Sequence, residues 1–425
     1  MELKKYKLGE ILDVTRGASL SGKFYAAEGE YVRLTCGNFD YQNNCFKENK
    51  AKDNLYYIGD FKPDFLMKEG DIITPLTEQA IGLLGSTAII PESGKYIQSQ
   101  DVAKIVCKEH LLDKDFAFYL ISSNLVKQQL SAAAQQTKIR HTSPDKIKDC
   151  IVWIPELEEQ KRIGKLLRTI DLKIELNRQL NHNLEAMAKQ LYDYWFVQFD
   201  FPDENGKPYK SSGGKMVWDK RLKREIPLLW KAKIVEEVAD VYNGATPSTV
   251  NELNYGGDIV WITPKDLSDQ KQKFVYQGER NISQVGYDSC STHLLPSNTI
   301  LMSSRAPIGL LAIAKTELCT NQGFKSFVSK SKNIATYLYY YLQYHITQIE
   351  QLGTGTTFKE VSREDILKFP MLKPSDNVLD LWEEIVSALN DRQLEIQKEN
   401  ENLTKQRDEL LPLLMNGQVS VNYDL

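Results

Sequence analysis

The residues closest in type to a catalytic site are two acidic residues and a lysine near the middle of the sequence. Pro144-Asp145 is followed by Glu159-Gln160-Lys161, the spacing of a metal-dependent nuclease core in which two carboxylates hold Mg²⁺ beside a lysine. The matching positions in the second half of the chain, Arg363-Glu364 and Val378-Leu379-Asp380, do not repeat this set. Acidic residues at the start of a helix also suit its dipole. An autonomous Mg-dependent nuclease therefore stays an alternative interpretation.

Other patterns typical of enzymes do not occur in the sequence. A complete phosphate-binding loop, Gly-x-x-x-x-Gly-Lys followed by Ser or Thr, is absent, and so is the Asn-Pro-Pro-Tyr-like tetrapeptide of amino-methyltransferases. The five histidines lack metal-ligand spacing. The six cysteines form no Cys-x-x-Cys pair, which favours reduced thiols in a cytoplasmic protein. The sequence thus predicts a chain with no catalytic residues, no metal and no cofactor of its own.

The net charge gives only a weak indication of the binding partner. The sequence has 53 Lys and Arg against 57 Asp and Glu, a formal charge of −4, whereas phosphate contacts need positive side chains. A protein that clamps DNA needs only local basic loops, however, and partner subunits can supply the remaining positive field. The sequence contains no run of about 18 apolar residues, which is the length that predicts a membrane span.

The chain carries the same unit of roughly 200 residues twice, which is the kind of self-similarity that decides an architecture. Four pairs of segments resemble each other in the same order: 8–18 with 235–245, 31–35 with 259–263, 80–84 with 307–311, and 181–184 with 400–403. Within each unit, short β-branched runs such as 71–74 and 299–302 predict strands. Single helices are predicted at 116–130 and 337–352.

The second part of each unit has the seven-residue period of a helix that packs along another helix. The apolar positions of the first seam are Ile163, Leu167, Ile170, Ile174, Leu184, Ala188, Leu191 and Trp195, with Asn177 and Asn181 between them. Each stripe runs about 40 residues, or roughly 60 Å, which exceeds the diameter of a domain of about 150 residues. We therefore favour two long helices that pack on each other in antiparallel fashion over two helices that each lie on their own domain.

These observations predict an α+β fold with internal two-fold pseudo-symmetry. Two mixed α/β globular domains are separated by two long antiparallel coiled-coil helices. The predicted boundaries are 1–155 for the first domain, 156–197 for the central helix, 198–230 for a linker, 231–373 for the second domain, 374–417 for the distal helix and 418–425 for the tail.

Several polar loops recur in the same order in both halves and carry side chains that suit DNA. Arg or Lys forks onto guanine and Asn or Gln onto adenine, while Lys, Arg and hydroxyl groups bind phosphate. The contacts predicted in the first half are Arg16, Ser19, Lys23, Arg33, Gln79, Gln100, Lys138 and Arg140. Those in the second half are Thr246, Ser248, Lys265, Ser304, Arg305, Gln322, Lys325, Thr357 and Lys359. Gly, Ser and Thr are also common in turns that bind nothing. The prediction of DNA contacts therefore rests on the recurrence of the polar loops in the same order in both halves.

Long stretches of the sequence resemble the specificity (S) subunits of type I restriction–modification systems. The first begins at Glu159-Gln160-Lys161-Arg162-Ile163 and continues through 184–188 to Trp195-Phe196. The second is 199–210 and the third is 403–417. The stretches match in order, and the resemblance covers the whole chain. The chain departs from the common form at Ser99-Gln100-Asp101, where an Asn-Gln-Gly-type turn is usual.

The resemblance implies that each target-recognition domain reads one half of a bipartite double-stranded DNA site. The helices would bind two modification (methyltransferase) subunits, and ATP-driven restriction (translocase) subunits would join them. S-adenosylmethionine, ATP and Mg are then expected on those partners. The helix residues expected at the partner-binding surface are Asn177, Asn181, Leu184, Leu191, Trp195, Asn400, Leu403 and Leu410. A coiled-coil assembly protein that never touches DNA stays a second alternative.

Overall fold

The computed structural model describes residues 2–50, 53–78, 80, 82–133, 140–355 and 359–421. The chain divides into two compact units. Unit 1 runs from the N-terminus to Leu176 and resumes at Asn400, and unit 2 runs from Asn177 to Glu399. Each unit contains one globular domain and a part of each long helix, so the compact units cut across the helices.

Unit 1 is built around a four-stranded sheet whose strands lie in the order 88–89, 72–75, 102–107 and 12–16. The strands of unit 1 are Lys4–Lys7, Leu12–Arg16, Tyr25–Ala26, Tyr31–Arg33, Phe39–Asp40, Cys45–Phe46, Tyr56–Tyr57, Ile72–Pro75, Thr77–Glu78, Ala88–Ile89, Tyr96–Ile97, Val102–Cys107, Arg140–His141 and Ile151–Ile154. Its short helices are Leu8–Ile11, Lys114–Ile121, Asn124–Ala133 and Pro144–Lys148. Ile72, Ile73 and Thr74 are buried on both faces of the sheet, as a run without polar alternation requires.

Unit 2 has a larger sheet whose strands lie in the order 239–243, 324–329, 300–303, 311–314 and 274–275. The strands of unit 2 are Met216–Asp219, Arg224–Pro227, Lys231–Ile234, Ala239–Asn243, Tyr255–Ile262, Phe274–Val275, Arg280–Ile282, Ile300–Ser303, Leu311–Ala314, Cys319–Thr320, Phe324–Ser329 and Pro370–Lys373. Its short helices are Pro264–Gln270, Gln284–Asp288, Ala335–Tyr344, Ile346–Gln351 and Arg363–Leu367. The predicted strands at 71–74 and 299–302 are confirmed with a shift of one residue.

The predicted single helices at 116–130 and 337–352 are wrong, because each is broken into two. In unit 1 the break is at Ser122, whose hydroxyl donates to the Phe118 carbonyl at 3.1 Å and so competes with the backbone ladder. In unit 2 the break is at His345, whose Nδ1 lies 2.9 Å from the Tyr341 carbonyl. In both units a polar side chain bonded back to the preceding turn lies at the break.

The two long helices predicted from the seven-residue period are present. The central helix is Leu157–Tyr192, extended by a π-helical turn at Asp193–Val197, and the distal helix is Asp376–Met415. The distal helix ends at Gly417, which has a φ of +70°, a conformation that glycine adopts without strain. The Gln418 N–H then donates to the Leu413 carbonyl at 2.9 Å, which is the bond that closes a glycine-ended helix.

Within each unit the helix segments pack in antiparallel fashion. In unit 1, Arg407 Nη1 donates to Asp171 Oδ1 at 2.9 Å, and Asn400 Nδ2 donates to the Ile174 carbonyl at 3.5 Å. In unit 2, Asn177 Nδ2 donates to Glu399 Oε2 at 2.7 Å. Rising numbers on the central helix thus meet falling numbers on the distal helix. Asn177 lies in the seam, at one of the two asparagine positions that interrupt the apolar stripe of the sequence, and a polar residue at such a position fixes register.

A buried lysine links the globular part of unit 2 to both helix segments. Lys273 Nζ lies 2.8 Å from Glu185 Oε2 on the central helix and 2.7 Å from Asn390 Oδ1 on the distal helix. It also lies 2.6 Å from the Tyr340 hydroxyl. Burial lowers the pKa of Lys273 to about 8, although Glu185 acts in the opposite direction. A charge withdrawn from water in this way depends on its partners for stability.

Candidate nucleic-acid interface

The loops that carry the predicted contacts are joined by the same backbone hydrogen bonds in both units. The Leu76 N–H donates to the Asp101 carbonyl at 2.8 Å, and the Ser304 N–H donates to the Gly323 carbonyl at 2.8 Å. Likewise, the Leu76 carbonyl accepts from Thr142 at 2.9 Å, and the Ser304 carbonyl accepts from Val361 at 3.0 Å. We call this arrangement the loop frame. It places Thr77 opposite His141 in unit 1 and Arg305 opposite Glu360 in unit 2.

In unit 2 the loop frame gathers two predicted cations around one carboxylate. Arg305 Nε donates to Glu360 Oε2 at 3.0 Å, and Lys325 Nζ lies 3.3 Å from Glu360 Oε1. Lys325 also reaches the Ser304 hydroxyl at 3.4 Å. Burial lowers the pKa of Lys325, while Glu360 raises it. Arg305 stays about half exposed, so its guanidinium is the cation of this cluster that a ligand can reach.

A second group of predicted contacts in unit 2 lies where two loops pass closely. The Thr246 hydroxyl donates to Gln322 Oε1, and both residues are exposed. The loops approach so closely that a Cβ on Gly244 would lie 2.2 Å from the Thr320 carbonyl oxygen, which explains the glycine there. Ser248 is exposed and its carbonyl accepts from Asn254 at 2.9 Å.

Two further lysines predicted in unit 2 are exposed. Lys265 forms a surface ion pair with Glu279 at 2.7 Å, and the hydrogen bond to Glu279 raises the pKa of Lys265. Lys359 precedes Glu360 in the loop frame. Because an exposed ion pair contributes little to stability, Lys265 can exchange Glu279 for another anion at little cost.

The corresponding loops of unit 1 bring Arg16 and Gln100 together. Arg16 Nε donates to the Gln100 carbonyl at 2.8 Å, and the Ala18 N–H donates to the Gln98 carbonyl at 3.0 Å. Ser19 and Lys23 lie on the exposed turn that follows. Residues 17–23 match the first part of a phosphate loop, but Phe24 replaces the hydroxyl residue and a strand follows at Tyr25–Ala26 instead of a long helix.

A carboxylate also lies next to the predicted arginine of unit 1, whose Nη1 donates to the Ser131 hydroxyl at 3.4 Å. Glu78 lies opposite Arg140 in the antiparallel pair, with Glu78 Oε2 at 3.6 Å from Arg140 Nη1. Glu78 Oε1 accepts from the Gly82 N–H at 2.9 Å. Sequence reasoning missed both Glu78 and Glu360, because an acidic residue in a loop gives no signal of its own.

Three of the predicted DNA contacts are buried in the structure. Arg33 is buried, lies 3.9 Å from the centre of the Tyr25 ring and donates to the Asn54 carbonyl at 3.3 Å. Ser304 and Lys325 are buried by the loop frame. These three residues face protein groups because segments distant in sequence close over them. The predicted contacts Gln79, Lys138 and Thr357 lie outside the described residues.

The residues of the nuclease-like pattern have other partners. Glu159 pairs with Arg162 at 2.9 Å and accepts from the Val421 N–H at 3.1 Å, while Lys161 pairs with Glu158 at 2.8 Å. In the part of the chain that the structure describes, no group of three or more His, Cys, Asp or Glu residues is placed to hold a metal ion. Glu159 belongs to the first turn of the central helix, and Asp145 belongs to the first turn of the short helix Pro144–Lys148.

The predicted partner-binding residues of the helices are buried or half-buried in the structure. Asn177 and Trp195 are buried, and Trp195 packs against Trp382 at 6.1 Å between ring centres. The other predicted residues are half-buried: Asn181, Leu184, Leu191, Asn400, Leu403 and Leu410. Asn177 and Trp195 pack inside the helix pair, because a seam with a seven-residue period buries its own residues, and their contact with a partner stays a prediction.

Other apolar side chains of the central helix are exposed. Leu172 and Leu176 in unit 1 are each 52% exposed, and Leu180 and Met187 in unit 2 are 39% and 55% exposed. The first three follow each other at intervals of four, which places them on one helix face. This spacing was present in the sequence, but the seam pattern is stronger and was the one recognised.

No helix in the described part of the chain has the length and apolar character of a membrane span.

Comparison with known proteins finds relatives over both units. The model of the family described as the type I restriction modification DNA specificity domain matches residues 1–186 and 227–405. A specificity subunit of Methanocaldococcus jannaschii, that of the type I restriction enzyme MjaIX, is 35% identical over 197 residues, or 45% of this chain and 46% of that protein. This alignment thus spans about half of that relative's length. The HindI specificity subunit of Haemophilus influenzae is 24% identical over 98% of this chain and 99% of its own.

A solved structure supports the same assignment at the level of the fold. The S subunit of a type I restriction–modification system from M. genitalium superposes with a TM-score of 0.65 at 16% sequence identity, covering 98% of this chain and 96% of that one. The family model covers well over half of this chain in two ranges of similar length. The chain therefore belongs to the family of type I restriction–modification specificity subunits, which recognise a DNA target and leave catalysis to other subunits.

Proposed function

We propose that each unit reads one half of a bipartite double-stranded DNA site. The observation that carries this proposal is the loop frame, which recurs in both units with different side chains. Thr77 and His141 occupy the cross-strand position in unit 1 that Arg305 and Glu360 occupy in unit 2. A shared backbone with different polar groups suits two reading heads for two different short sequences, since hydrogen-bond patterns on base edges encode sequence.

The test of this proposal is sequence-specific binding by the assembled protein. The site is first identified by sequencing methylated DNA from the host with and without this chain. Duplexes that carry the intact site, the first half alone or the second half alone are then titrated with the complex at a fixed salt concentration, because affinity falls steeply with salt. The intact site must bind more tightly than either half. Equal binding to all duplexes would contradict the proposal.

The two alternatives predict different results in simple assays. An autonomous nuclease would cut plasmid DNA when the purified chain is given Mg²⁺, whereas the ion pairs of Glu159 and Lys161 favour a structural role. A coiled-coil assembly protein would show no salt-dependent binding to duplex DNA. Neither result is expected here.

We further propose that the long helices dock two modification subunits, which restriction subunits then join in the cytoplasm. The exposed Leu172 and Leu176 in unit 1, and Leu180 and Met187 in unit 2, are the side chains that support this. Apolar residues left on a helix face suit the core of a protein–protein interface. S-adenosylmethionine, ATP and Mg²⁺ would be bound by those partners.

The helices are also proposed to set the distance between the two half-sites. Insertion of seven residues in both helices, after Leu176 and before Asn400, adds about 10 Å along the helix axis. At 3.4 Å per base pair the spacer should lengthen by about three base pairs, with both half-site sequences unchanged. The spacer is measured by sequencing the methylated motif.

A matched control is an insertion of seven residues in the exposed turn at Asn205-Gly206, which lies outside both helices. This variant should keep the original spacer. If the helix variant instead kept the spacer and recognised different bases, the proposed role of the helices would be wrong.

Arg305→Ala is expected to weaken binding of the intact site by about 1–3 kcal/mol, because a forked arginine–guanine contact is worth that much discrimination. Binding is measured by titration of fluorescent duplex. Lys330→Ala removes an exposed cation that pairs with Asp240 at 3.4 Å and serves as the matched control. Equal affinity of the Arg305→Ala variant and the unchanged protein would remove Arg305 from the interface.

A further inference from the structure

Each unit holds one half-exposed arginine with one glutamate from the opposite segment of the loop frame. In unit 2 the arginine, Arg305, is on the first segment and Glu360 is on the second. In unit 1 the order is reversed, because Glu78 is on the first segment and Arg140 is on the second. The pair in unit 1 also lies one residue farther along the frame than the pair in unit 2. Both units thus contain an arginine–glutamate pair, but the arginine is on the first segment in unit 2 and on the second segment in unit 1.

The glutamate of unit 2, Glu360, is held by a buried lysine as well as by the arginine. One carboxylate oxygen lies 3.3 Å from the ammonium of Lys325, whose side chain is only 5% exposed. The other oxygen accepts from Arg305 Nε at 3.0 Å. Among the described residues, Nε is the guanidinium nitrogen of Arg305 that is hydrogen-bonded to protein. The two terminal nitrogens of Arg305 therefore keep the donors that fork onto a base edge.

The glutamate of unit 1 is fixed by burial. The Glu78 side chain is 4% exposed, whereas Arg140 is 41% exposed. Glu78 Oε1 accepts from the Gly82 N–H at 2.9 Å. Oε2 is buried and accepts no hydrogen bond from the described residues, with Arg140 Nη1 at 3.6 Å. This buried carboxylate oxygen attracts the guanidinium, and the Ser131 hydroxyl accepts from Arg140 Nη1 at 3.4 Å, so both groups restrict where Arg140 can point.

We propose that Glu78 and Glu360 are specificity-determining positioning residues, each of which orients one arginine, Arg140 or Arg305, toward a guanine of its half-site. This inference rests on the proposed function. An arginine fixed at one edge presents its remaining donors in the geometry of guanine O6 and N7, whereas a free arginine pairs with any phosphate. The glutamate also repels phosphate, so it suppresses binding to DNA of the wrong sequence.

The test uses the complex of the full chain with its modification subunits and the variants Glu360→Gln and Glu78→Gln. Each complex is titrated with duplexes that carry the intact site identified by sequencing methylated DNA. It is also titrated with duplexes in which each guanine of the site is replaced in turn. Glu360→Gln should lower the preference for one guanine in one half-site by at least about fivefold. It should also tighten binding to DNA without the site, because a negative charge has been removed. Glu78→Gln should do the same in the other half-site.

The other half-site serves as an internal control for folding, since a misfolded chain would lose both preferences. Asp240→Asn in unit 2 and Glu92→Gln in unit 1 are matched controls, because both are exposed carboxylates paired with lysines. These controls should keep both preferences. An unchanged guanine preference in both glutamine variants would overturn this inference and leave the proposed function intact. Absence of any sequence preference in the unsubstituted complex would overturn the proposed function itself.

Discussion

Exchange of residues 231–373 for the corresponding segment of another specificity subunit is expected to change one half of the recognised site completely and to leave the other half unchanged. The reason is that unit 2 carries its own sheet and its own loop frame, so its reading side chains do not depend on those of unit 1. Each wrong base pair costs about 1–3 kcal/mol. The affinity for a half-site in which several base pairs are wrong therefore falls by several orders of magnitude.

The measurement is the methylated motif of a host that carries the exchanged chain. The reciprocal exchange of residues 1–155 is the matched control and should change the other half-site. An exchange of the exposed junction 203–207 should change neither. If the exchange of 231–373 altered both half-sites, the proposed division of labour between the units would be wrong.

Lys273→Met is expected to lower the free energy of unfolding of unit 2 by about 3 kcal/mol, because removal of one partner leaves the other buried charge without compensation. The Lys273 side chain is 10% exposed and Glu185 is 22% exposed. Methionine has a similar length, so the loss is electrostatic and not a matter of volume. Chemical denaturation of the full chain, followed by tryptophan fluorescence, measures the effect, since Trp195 and Trp382 are buried in unit 2.

A second substitution separates the ion pair from packing. Lys273→Met combined with Glu185→Leu removes both charges and should recover most of the lost free energy. Lys330→Met breaks an exposed ion pair with Asp240 and should change the free energy of unfolding by less than about 1 kcal/mol. A Lys273→Met variant as stable as the unchanged protein would show that Lys273 does not hold the globular part of unit 2 to its helix segments.

The features that could be predicted from the sequence are those set by local periodicity. The seven-residue period predicted both long helices, and residues such as Ile163, Leu167 and Ala188 are buried as that period requires. The repeat predicted that the same loops recur in both halves, and the backbone bonds of the loop frame join them in both units. Periodicity and repetition are properties of neighbouring residues, so they are visible without the fold.

The breaks at Ser122 and His345 were not predicted, because the apolar pattern runs through them. At each break a hydroxyl or imidazole is bonded to the preceding turn and competes with the backbone ladder, and this leaves the hydrophobic spacing unchanged. The exposed Leu172, Leu176 and Leu180 were missed for a related reason. Their spacing is helical, but only the packed structure distinguishes the face that meets the other helix from the face that does not.

The sequence by itself determined that two similar units carry polar loops and long helices, and the resemblance of long stretches to specificity subunits led to the family. Only the tertiary structure decided which polar side chains can reach a ligand. Arg305 and Glu360 are 55 residues apart, and Lys325 and Glu360 are 35 apart. Whether such residues meet depends on how distant segments close over one another, which no local pattern encodes. That closure buries Lys325, exposes Arg305 and places one glutamate between them.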